Sequence, residues 1–76
     1  MSRLFLRYPN LAVSLSMPER VAGLFAQNFA HALVSTPPST LQHAYDVVAD
    51  GDAWVLTRDG ERGPAFPTPA DVMFAL

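Results

Sequence analysis

The side chains with chemistry to offer are His31 and His43, seven carboxylates, and hydroxyls at Ser14, Ser16 and in the run Ser35-Thr36-Pro37-Pro38-Ser39-Thr40. A zinc site needs three or four nitrogen, sulfur or carboxylate ligands at close spacing. The chain has no cysteine and its two histidines fall on separate predicted elements, so each reads as a surface imidazole. Asp50-Gly51-Asp52 sets two acids together, but the long ligand loop and distal glutamate of a calcium site are missing. Turn chemistry accounts for both aspartates. Nucleophilic catalysis asks for a hydroxyl beside a base, with a third group to orient the base. No glycine-flanked elbow follows Ser14 or Ser16, and the hydroxyls of 35–40 lie in a proline-rich connector. With no lysine and no glycine-rich phosphate loop, nucleotide binding is not expected either. These residues predict no catalytic centre, no metal and no cofactor.

The cations carry the remaining signal. All five basic residues are arginine, set against seven acidic ones, for a net charge of −2. Arg3, Arg7, Arg58 and Arg62 fall on predicted strands, with Phe5 and Trp54 near them. A sheet face of arginines and aromatics is one way to hold single-stranded nucleic acid. Phosphate affinity grows with the number of cationic contacts, however, and a net negative chain supplies few. Strand arginines more simply solvate an edge. No nucleic acid is therefore expected, and Arg7, Arg58 and Arg62 are the residues expected to meet a protein partner. If their strands adjoin, Arg7, Arg58 and Tyr45 form one pocket.

The elements that would position these residues follow from periodicity. Residues 3–8 alternate loosely and residues 11–15 cleanly, with Leu11, Val13 and Leu15 against Ala12 and Ser14. Period two marks half-buried strands, and Tyr8-Pro9-Asn10 breaks them with a turn. Ser16-Met17-Pro18-Glu19 reads as a capping box with proline in the first turn. Behind it Val21, Leu24, Phe25, Phe29, Ala32 and Leu33 recur at helical spacing. The spacing predicts one long amphipathic helix over about 17–34, ended by Pro37 and Pro38. Ala44–Ala49 and Ala53–Arg58 flank Asp50-Gly51-Asp52 as a hairpin, and Asp59-Gly60 turns into a short strand over Glu61–Phe66. Thr68-Pro69-Ala70-Asp71 starts a short C-terminal helix whose stripe is Val72, Met73 and Leu76. The expected fold is α+β, a mainly antiparallel sheet of four or five strands with the long helix on one face. Its expected core is Leu11, Val13, Leu15, Val21, Leu24, Phe25, Phe29, Tyr45, Val47, Trp54 and Leu56, with Trp54 as the anchor.

Half of the 76 residues are hydrophobic and 16% charged, which excludes disorder and sets one small domain over 1–76. Arg7 and Pro9 interrupt any signal-peptide core, and no window nears the roughly 20 apolar residues of a membrane span. The chain reads as cytoplasmic. Its last stripe stops inside an element, which points to the N-terminal part of a longer protein.

The run Tyr45-Asp46-Val47-Val48-Ala49-Asp50-Gly51-Asp52-Ala53-Trp54-Val55-Leu56, then Arg58-Asp59-Gly60-Glu61, carries a resemblance. After a strand, a capped helix and a proline loop, it is similar to the small N-terminal region that precedes the kinase-like domain in bacterial proteins related to HPr serine kinase. The likeness covers about 11–76. It implies a non-catalytic accessory module that positions a partner or substrate. It carries over no functional residue, because that family's catalytic apparatus would follow Leu76. The alternative is a self-contained interaction module that homodimerises through a strand edge or the C-terminal helix.

Overall fold

The computed structural model describes residues 1–75. The chain runs β1 (Ser2–Tyr8), β2 (Leu11–Met17), α1 (Glu19–Asn28), β3 (Leu33–Val34), β4 (His43–Asp50), β5 (Ala53–Arg58), β6 (Glu61–Phe66) and α2 (Pro69–Ala75). The fold is α+β, but its sheet has six strands, in the order β3-β1-β2-β4-β5-β6. It is mixed: β2 and β4 run parallel, with Val13 opposite His43 and Leu15 opposite Tyr45, and every other neighbour is antiparallel. A parallel pair needs a crossover of a dozen or more residues. Residues 18–42 supply it through α1 and the proline loop.

The long helix expected over 17–34 is corrected to the ten residues Glu19–Asn28. Beyond Phe29 the chain turns back, and the amide of Arg7 donates to the carbonyl of Ala32 at 2.8 Å. Leu33 and Val34 then pair with Leu6 and Phe5. Covering the outer edge of β1 satisfies strand groups that a longer helix would leave open. The capping box also fails. β2 continues through Met17, so Ser16 lies in the sheet, where it accepts a 3.4 Å hydrogen bond from Arg3 Nε. Pro18 is the N-cap, without a side-chain cap bond. At the second helix the expected cap forms: the Asp71 amide donates to Thr68 Oγ1 at 3.3 Å, and that hydroxyl donates to Asp71 Oδ2 at 3.0 Å. The stripe's last member, Leu76, lies outside the described residues.

Both helices pack on one face of the sheet. Leu6, Val13, Leu15, Met17, Val47 and Leu56 meet Val21 and Phe25 of α1 and Val72 of α2 in one cluster. Trp54 is not the buried anchor. It packs partly buried against that cluster, and the guanidinium carbon of Arg20 stands 5.1 Å from its ring centroid. Two expected core residues face out instead, Leu24 at 44% exposure and Leu11 at 38%. α1 lies over β1, whereas α2 lies over β5 and β6. No helix among the described residues is long and apolar enough to cross a membrane.

Two hairpin turns fix the register of the second half. Asp59 and Gly60 both take positive φ, 53° and 85°, as the two-residue turn between Arg58 and Glu61 requires. On β6 the pairing slips opposite Leu56, which faces Gly63 and Pro64 together. A bulge on an edge strand is where a proline is tolerated. Gly63 is needed there because a Cβ would lie 2.7 Å from the Leu56 carbonyl oxygen.

Candidate functional site

At the β1–β2 turn end of the helix-bearing face, a small apolar cleft opens. Leu6, Val13 and Leu15 form its floor, and Tyr8, Leu11, Phe29 and Tyr45 its walls. The cleft exists because α1 stops at Asn28 and Phe29, its C-cap, ends the cover over β1. Its volume is about 70 Å³. Pockets for small-molecule substrates run to several times that, roughly 300–1,000 Å³. The space suits one apolar side chain.

Each tyrosine wall stands against a histidine. Tyr8 meets His31 edge-on with centroids 6.0 Å apart, and Tyr45 meets His43 at 6.0 Å with the rings tilted. His43 is fixed in turn by Asp59, whose Oδ2 lies 2.8 Å from Nδ1. Oδ1 of the same carboxylate accepts the Ala44 amide at 2.8 Å. The Asp59 amide donates back to the Ala44 carbonyl at 2.8 Å, which carries the β4–β5 ladder past Arg58. The hydrogen bond from His43, then that from the Ala44 amide, holds the Asp59 carboxyl below its usual range. No group of three His, Cys, Asp or Glu side chains converges on one point among the described residues.

Arg7, Arg58 and Arg62 do not form a single site. Arg58 stands opposite Tyr45 in the ladder, on the helix-bearing face. Arg62 pairs with Thr57 on the other face, where its guanidinium meets Asp50 at 2.9 Å. Both nevertheless line one cavity of about 260 Å³ beside Tyr45, Gly63 and Ala75, because the Asp59-Gly60 turn joins their strands. Arg7 is separated from them by β2 and β4 and points to the face without helices. The pocket expected from Arg7, Arg58 and Tyr45 is therefore not formed. Arg7 lines a different groove, of about 300 Å³, between the Pro9-Asn10 turn and the loop Pro38–Gln42.

The cleft itself was beyond sequence reasoning. Tyr8, Leu11, Phe29 and Tyr45 are scattered through the chain, and only the parallel register of β2 with β4 brings Tyr45 beside Leu15. The Asp59 turn was legible, but not that it faces His43. No family model matches the chain, and neither a curated protein nor a solved structure does, so the site's own geometry carries the reading that follows.

Proposed function

We propose that the chain is a non-catalytic recognition module that holds an apolar side chain of a partner protein in the cleft between Tyr8, Phe29 and Tyr45. The carrying observation is a preformed apolar cleft sized for one side chain, with Leu11 at its mouth. Burying a leucine- or phenylalanine-sized group supports about 1.5–3 kcal/mol. With the surrounding contact this fits a transient interaction, near the millimolar to micromolar range. The setting proposed with it is an accessory domain of a larger, kinase-like cytoplasmic bacterial protein, following the resemblance of residues 11–76. Selection of random linear peptides on the wild-type chain tests the reading. Selected peptides should carry an apolar residue and lose binding to Leu11→Asp, a change at an exposed position that leaves the core intact. Binders indifferent to that substitution would count against the cleft.

A second reading, homodimerisation through α2, is favoured by Phe74, which is 90% exposed. Sedimentation equilibrium separates the two: the first expects a monomer, the second a dimer abolished by Phe74→Ser.

A further inference from the structure

We infer that the partner segment carries an acidic side chain within two or three residues of its apolar anchor, and that Arg7 reads it. The inference rests on the cleft being a recognition site. Tyr8 and Leu11 line both the cleft and the Arg7 groove, so the two cavities, on opposite faces, meet at the Pro9-Asn10 end of the sheet, and a short segment passing round that end reaches both.

The charges support a carboxylate there. The ion pairs of the described residues are His43 with Asp59 and Arg62 with Asp50, and Arg7 belongs to neither. Asp59, the carboxylate beside Tyr45's histidine, is already engaged by His43 and the Ala44 amide. Glu61 stands opposite Arg58, away from the groove. Glu19, Asp50 and Asp52 lie at the opposite end of the sheet, at the start of α1 and in the β4–β5 turn. An exposed guanidinium with two in-plane donor pairs fits a carboxylate, and Asn10, Ser39 and Thr40 in the same groove add neutral donors.

The test titrates the whole ¹⁵N-labelled chain with three synthetic peptides, each a central leucine flanked by aspartate, asparagine or lysine. Amide shifts at Tyr8, Leu11 and Tyr45 report occupancy of the cleft. At about 0.01 M ionic strength the aspartate peptide should bind about three- to fivefold tighter than the asparagine peptide, and the lysine peptide weakest. Arg7→Gln, an exposed substitution, should erase that preference, bringing the aspartate and asparagine peptides to the same affinity, and about 1 M salt should do the same in the wild type. Equal binding of the aspartate and asparagine peptides, with the cleft amides shifting for both, overturns the acidic preference and leaves the recognition reading standing. An acidic preference that survives Arg7→Gln overturns the assignment to Arg7. If no peptide shifts the cleft amides, the recognition reading fails and this inference with it.

Discussion

Asp59 does three jobs with one side chain and one backbone conformation. It accepts from His43 and from the Ala44 amide, and it takes the positive φ that opens the β5–β6 turn. Its folded carboxyl is held low, so it favours the folded state above its unfolded pKa, and that stability is lost as pH falls through the lowered folded value. Urea midpoints measured downward from about pH 5 should fall less steeply for Asp59→Asn than for the wild type, because asparagine keeps the turn and removes the titration. Matching slopes would show that the His43 bond does not hold in solution. Gly63 is the other single position on which the hairpin depends. With a Cβ aimed at the Leu56 carbonyl oxygen, Gly63→Ala should lower stability by about 1–3 kcal/mol in the same assay. Asp59 was legible as a turn residue because Asp-Gly dipeptides carry their own φ preference. Its bond to His43 was not, since His43 lies one residue outside the strand expected over Ala44–Ala49 and joins β4 only in the structure.

Among the elements, those with a local signal were the ones readable in advance. The two hairpins of the second half form at their glycine turns, and α2 begins at Thr68 with the expected cap. The parallel pairing of β2 with β4 and the two-residue β3 carry no such signal, because both depend on where a long crossover returns. Helix α1 shows how periodicity misleads: Ala32 and Leu33 continue the helical spacing, yet covering the edge of β1 wins over extending the helix. Within the shortened helix, Gly23 is exposed, and a Cβ there would touch nothing. Gly23→Ala should therefore raise stability by about 1 kcal/mol, read as a melting temperature about 4–8 °C higher. Phe25 is fully buried between α1 and the sheet. Phe25→Ala should cost about 3–5 kcal/mol, enough to unfold much of a domain this small.

At the scale of the whole molecule, both helices cover one face of the sheet and leave the other without a helix. Charges of both signs stand at each end: Arg7, Arg58, Asp59, Glu61 and both histidines at the cleft end, and Arg3, Arg20, Glu19, Asp50 and Asp52 at the far end. The open face carries a polar row, Arg3, Ser16, Asp46, Thr57 and Arg62, read across five strands by their pairing. The arginines picked out from the sequence are thus divided between the two faces. That division could not be foreseen without strand order, because alternation alone does not say which strands adjoin. Partner binding at the cleft end is the central claim, and the most direct test is intermolecular NOE spectroscopy on a peptide selected for binding. Contacts are expected from the peptide's apolar anchor to the rings of Tyr8, Phe29 and Tyr45. Contacts instead to Phe5 and Val34 on the open face, or to Phe74 on α2, would contradict it.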